Sequence, residues 1–210
     1  MKKIFGILLA LVLCAAVCCG TAETATVADW FGTIDGSVYE NPMVGLGCDL
    51  DGWRYFTQDE ILESSKMTEE ILHEDLAELV KEATSVIVMQ AEKNDGLQTV
   101  NIAVQEFSAY MATVEAVGME TVLEIVKEQV ILPAFRIQPG FSDVTAEIVQ
   151  REIGGTAFYA IRAKGTYYGF SFFQEQIAFL RGDYLAYLTI STFTEDAVDE
   201  AVSHFYLLDE

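Results

Sequence analysis

Four groups of side chains in this sequence have the types and spacing to do chemistry. Asp49-Leu50-Asp51-Gly52, with Asp59-Glu60 downstream, sets hard carboxylate oxygens around a glycine turn, as a calcium loop requires. Neither register of that loop works. With Asp49 first, Glu60 falls correctly at the last place, but Arg54 occupies the sixth, which needs glycine. With Gly52 sixth, Gly47 is first and Gln58 last, so a turn ahead of Trp53 is the better reading. His73, among Glu69, Glu70 and Glu74, has the helical spacing of a ligand pair. A catalytic zinc takes three protein ligands, and the other histidine, His204, is remote in sequence, so we assign neither a metal nor a cofactor.

Nucleophilic chemistry needs a Ser or Cys beside a base and an orienting acid. The chain has no Gly-x-Ser-x-Gly elbow and no glycine-rich phosphate loop. Its 33 acidic residues allow many carboxylate pairs, which keeps a hydrolase using acidic residues as the alternative to a non-catalytic binding domain. The fourth group is aromatic: Tyr167-Tyr168-Gly169-Phe170-Ser171-Phe172-Phe173. Read as one strand, its alternation sends Tyr168, Phe170 and Phe172 to one side and Tyr167, Gly169, Ser171 and Phe173 to the other. One side is core. The other, where helices leave it uncovered, is an aromatic platform for a sugar, a peptide or another protein, and burial on both faces is the competing expectation.

Around these groups the composition sets bounds. Met1-Lys2-Lys3 and the uncharged stretch Ile4 to Val17 form the basic and apolar regions of an export signal, too short to span a bilayer comfortably. Gly20-Thr21-Ala22 offers small side chains for cleavage before Glu23. A lipoprotein site at Cys18 or Cys19 competes with it, so release and lipid anchoring both stay open. The expected organisation is a signal over 1–22, a short leader over 23–35 and one domain over 36–210. Export places that domain in the extracellular space or on the outer face of the membrane.

Cys14, Cys18 and Cys19 fall in the signal, leaving Cys48 alone, so no internal disulfide can hold the domain. We expect Cys48 to be a buried small apolar side chain. The formal charge is −21, and removing the two positive charges of Lys2 and Lys3 leaves −23. Such a charge repels nucleic acid and anionic lipid, so the expected partner is a protein, peptide or glycan, and the membrane enters only through a lipid anchor.

The elements follow from periodicity. Ser37–Glu40 and Val44–Leu50 read as a strand pair broken at Asn41-Pro42. Thr57-Gln58-Asp59-Glu60 has the form of a capping box and starts a short helix. A second helix is expected from Thr68, with Ile71, Leu72, Leu76, Leu79, Val80 and Ala83 on one face. Ser85–Ala91 and Leu97–Phe107 predict a hairpin across Lys93-Asn94-Asp95-Gly96. Val122, Leu123, Val126, Val130 and Ile131 predict a helix over Met119 to Phe135, closed by Pro133 and Pro139. Four extended runs, Val144–Ile153, Thr156–Lys164, Tyr167–Phe179 and Tyr184–Phe193, predict an antiparallel meander turning at Gly154-Gly155, Gly165-Thr166 and Gly182-Asp183. Thr194 is expected to cap a last helix with Ala197, Val198, Ala201, Val202 and Phe205 inward. The sum is an α+β domain with an antiparallel sheet of about five to seven strands packed with helices.

Tyr39-Glu40-Asn41, Gly45 and Gly52-Trp53, together with Arg181-Gly182-Asp183-Tyr184, the strand Leu185 to Ile190 and the closing helix, resemble exported proteins of anaerobic Gram-positive bacteria with the PsbP/Mog-like fold. This chain departs from that opening at Leu50-Asp51, where Pro is usual before Gly-Trp. The resemblance, from about Ser37 to Leu208, implies an antiparallel sheet packed with helices. It also implies a binding or accessory scaffold, and it carries over no catalytic residue.

Overall fold

The computed structural model describes residues 27–65, 85–94 and 96–208. The expected signal, with Cys18 and Cys19, and the helix expected from Thr68, with His73, lie outside the described residues.

Alternating apolar residues and glycine turns build two antiparallel sheets. Strands β1 (Thr33–Asp35), β2 (Val38–Asn41), β3 (Leu46–Asp49) and β11 (Phe205–Leu207) form the smaller, in the order β1-β2-β3-β11. The larger has the order β4-β5-β6-β10-β9-β8-β7. Its members are β4 (Arg54–Tyr55), β5 (Val86–Lys93), β6 (Gln98–Glu106), β7 (Phe141–Ile153), β8 (Thr156–Tyr167), β9 (Phe170–Arg181) and β10 (Tyr184–Thr192). The helices are α1 (Gln58–Ser65), α2 (Ser108–Val117), α3 (Met119–Val126), α4 (Leu132–Ile137) and α5 (Asp196–Ser203). The chain is thus α+β, with a seven-stranded antiparallel sheet at its centre.

The pleat of the large sheet divides the core. Ala160, Ile177, Phe179, Leu188 and Ile190 point to the side covered by Tyr39, Leu46 and Cys48 of the small sheet, Ile61 and Leu62 of α1, and Val198 and Ala201 of α5. Ile161, Ala163, Phe172, Ala178 and Leu185 point the other way, against Val122, Leu123 and Val126 of α3 and Phe135 of α4. Burying each large apolar side chain contributes about 1.5–3 kcal/mol, so both layers stabilise the sheet. Trp30 and Phe31 are buried in the first layer.

Several expectations need correction. Helix α2 was not expected: none of its residues is fully buried, so its apolar periodicity is weak. The helical region expected over Met119 to Phe135 runs on to Ile137. A π turn over Lys127–Ile131, in which Leu132 N–H bonds the Lys127 carbonyl, precedes Pro133, which stands at the junction of that turn with α4. Phe205 belongs not to the closing helix but to β11, opposite Cys48. Thr194 does not cap α5: its N–H bonds the Thr192 hydroxyl, and the helix starts after Glu195.

The turn expected at Gly165-Thr166 lies instead at Tyr168-Gly169, where Tyr167 pairs with Phe170. Gly165 stays in β8 because the strand passes close to β7 where the register shifts between Ser142 and Thr145. A Cβ there would stand 2.7 Å from Val144 Cγ2.

Candidate functional site at the hairpin apex

The two-residue turn Tyr168-Gly169 has positive φ at both positions, 46° and 86°. That is the requirement of a type I′ hairpin turn, which favours Asn, Asp and Gly. A tyrosine in the left-handed region is uncommon and strained. Its backbone N–H donates to the Gly140 carbonyl at 2.8 Å. Its ring lies directly against Gly140, where a Cβ would come within 2.5 Å of Cε2. Gly140 has φ 95°, so the loop after α4 needs glycine there for backbone and for space.

The structure therefore separates the expected aromatic trio. Tyr168 is 66% exposed and Phe170 69%, but Phe172 is 3% exposed, a correction to the expected platform. Phe172 does share a face with Phe170 by strand parity. It lies one pleat further from the turn, however, where the Phe135 and Phe141 rings cover it with centroids 5.9 and 5.0 Å away. Phe172 is the foundation and Tyr168 and Phe170 are the surface.

A third apolar side chain, missed by sequence reasoning, joins them. Ile137, at the end of α4, is 82% exposed, and it precedes Gly140, which underlies the Tyr168 ring, by three residues. Three residues of chain reach at most about 11 Å, so Ile137 and Tyr168 share one end of the molecule. Among the described large apolar side chains, these three are the most exposed. Ile137 stands just before Pro139-Gly140, where a helical apolar stripe would be expected to end, and nothing in its spacing distinguishes it from core.

Two other polar groupings come together. Glu175, fully buried on β9, accepts from Arg151 Nε and from Arg162 Nε, the latter at 3.0 Å. Arg151 reaches on to Asp199 of α5 at 2.6 Å. A carboxylate engaged by two guanidiniums has both oxygens committed to joining β7, β8 and β9. On the other face, neighbouring strands align Gln90, Asn101, Thr189 and Gln176 in one row and Glu92, Thr99, Ser191 and Gln174 in the next. Gln174 donates to the Ser191 hydroxyl and accepts from Gln176, each at 3.0 Å. The signal for this stripe was the period-two recurrence of polar residues inside otherwise apolar strands.

Cys48 is buried as expected. Tyr55 gives its hydroxyl proton to the Ser37 carbonyl, so the thiol donates to Tyr55 Oη at 3.6 Å. Burial pushes the thiol up to about 12, which leaves it inert as a nucleophile. Asn41 and Gly45, on which the resemblance partly rests, are structural too. Asn41 donates to the Trp30 carbonyl at 2.6 Å and to Tyr39 Oη at 2.8 Å, and accepts from Val44 N–H. Gly45 makes room for the Arg181 guanidinium, whose Nε donates to the Val44 carbonyl.

Among the described residues no three His, Cys, Asp or Glu side chains gather as a metal site would need, and no helix is long and apolar enough to cross a membrane. No protein-family model and no curated protein matches the chain. Its structure is similar to the solution structure of cyanobacterial PsbP (CyanoP) from Synechocystis sp. PCC 6803, with a TM-score of 0.49 and 14% identity over 84% of this chain and 98% of that one. It is similar at a TM-score of 0.32 and 12% identity, over 50% of this chain and 66% of the other, to PA94 of Pseudomonas aeruginosa, a protein of unknown function. Neither likeness assigns a residue or an activity to this chain.

Proposed function

We propose that this chain is an exported, non-catalytic binding or accessory domain of the cell envelope, engaging its partner through the apex formed by Ile137, Tyr168 and Phe170. One observation carries this reading: the chain places a tyrosine in a left-handed turn that Asn or Gly would fill without strain, and seats its ring on a glycine. Folding alone gains little from a side chain that remains two-thirds exposed, so the strain is accounted for by contact with something else. Export is supported by the basic and apolar regions of residues 1–22.

A photoreactive amino acid at position 170, in the host that makes the protein, tests the apex. Adducts should form there and be absent at Leu97, another exposed apolar position on a different turn. Equal labelling at the two positions overturns the proposal. Mass spectrometry of the processed N-terminus distinguishes a chain beginning at Glu23 from one lipidated at Cys18 or Cys19, and an intact Met1 removes export.

A further inference from the structure

We infer that the partner of the apex is the interfacial region of a lipid bilayer; this rests on the apex being the binding surface. Shape is the first reason. The apex is the tip of a two-residue hairpin turn beside a helix end, so its apolar side chains project from the fold. A bilayer interface imposes no shape of its own and takes up projecting apolar groups one at a time.

Polarity is the second reason. The Tyr168 ring rests on Gly140 and on the Tyr167 ring, 4.7 Å away between centroids, and the Tyr168 backbone N–H is already given to Gly140. Glycan recognition needs several convergent hydrogen-bonding side chains beside the aromatic surface. Here the Tyr168 hydroxyl stands at the tip of an amphipathic ring, the arrangement that seats tyrosine at headgroup depth with its body in the acyl region.

Charge is the third. The chain carries −21 overall, yet residues 134–145 and 163–173 hold only Arg136, Lys164 and Asp143, two cations against one anion. Arg136, exposed beside Ile137, can lay its stem along the apolar surface and keep its guanidinium among headgroups. An acidic molecule with one acid-poor apolar end approaches a lipid surface with that end first. The same net charge opposes a second copy of the chain docking there. So small an apolar footprint gives weak, reversible binding, which a second attachment such as an acylated cysteine would make durable.

The test uses the host-processed protein with an environment-sensitive fluorophore on Phe170→Cys, and on Leu97→Cys as the control; Cys48 is buried and does not label. Phosphatidylcholine vesicles should shift the emission at position 170 to the blue, and spin-labelled lipid should quench it, while position 97 stays unchanged. Adding Ile137→Ser and Tyr168→Ser should weaken the vesicle affinity by about tenfold or more. Including phosphatidylglycerol should weaken it at low salt and added salt should restore it, because the acidic body is repelled. If vesicles leave position 170 unchanged while purified peptidoglycan or a peptide shifts it, the lipid assignment is overturned and the binding surface stands. If vesicles, peptidoglycan and peptides all leave it unchanged and the apex forms no adducts in the host, both fall.

Discussion

Arg162 donates its Nε–H to Oε2 of Glu175 at 3.0 Å, and the carboxylate it reaches has no exposure to solvent. Arg151 holds the other oxygen and ties the pair to Asp199, so one buried charge joins β7, β8, β9 and α5. Removing the anion leaves two guanidiniums facing each other at the edge of the core. Glu175→Gln should therefore destabilise the domain by about 3 kcal/mol, read as the shift in urea midpoint at constant slope. Arg162→Ala should cost about 1 kcal/mol, because Arg151 still neutralises the carboxylate and the Arg162 side chain already meets water. Equal losses for the two variants would contradict this arrangement.

Tyr168→Asn converts the turn to Asn-Gly, the pair that type I′ geometry prefers. The variant should be more stable by up to about 1 kcal/mol and at the same time should lose adduct formation at the apex. Thermal denaturation and the cross-linking yield at position 170 check the two halves separately. A variant that binds as well as the parent would show that the tyrosine ring contributes nothing at the surface.

Acid titration should act through the first turn of α1. The Thr57 backbone N–H, at 2.8 Å, and then Arg54 hold the Glu60 carboxyl below its ordinary value. A depressed folded-state value means that the contribution is complete above the usual carboxylate range and is lost as the pH falls through the lowered one. Between about pH 6 and about pH 2 the parent should therefore lose more stability than Glu60→Gln. Urea midpoints at the two ends compare them, and parallel losses would mean that this carboxylate carries no such linkage.

Much of the architecture is legible without coordinates. Gly154-Gly155 and Gly182-Asp183 mark their turns because each supplies positive φ where two strands must reverse. The capping box of Thr57 and Glu60 forms as its spacing predicts, each residue satisfying a backbone N–H of the other. The sequence points to the wrong apex because Gly165 looks like a turn residue and Tyr168 does not. What decides between them is the close approach of Val144 to Gly165, a contact between strands that a local reading does not contain. The same error placed Phe172 with Tyr168, since alternation cannot be counted through a turn. Ile137 escaped notice for a related reason, because only the end of α4 beside the hairpin gives it an open surface.

The pairing of Phe205 with Cys48 joins residues 157 positions apart, 205 less 48. The β11 segment is the last strand of the small sheet, and β3 has no partner on that side until it arrives. Closure of so long a loop is slow compared with hairpin formation, so the β3–β11 edge closes after the local β1-β2 and β2-β3 pairings can form. Loss of residues 205–207 would therefore leave β3 with an open edge, a row of unpaired backbone groups that a strand of another chain could occupy.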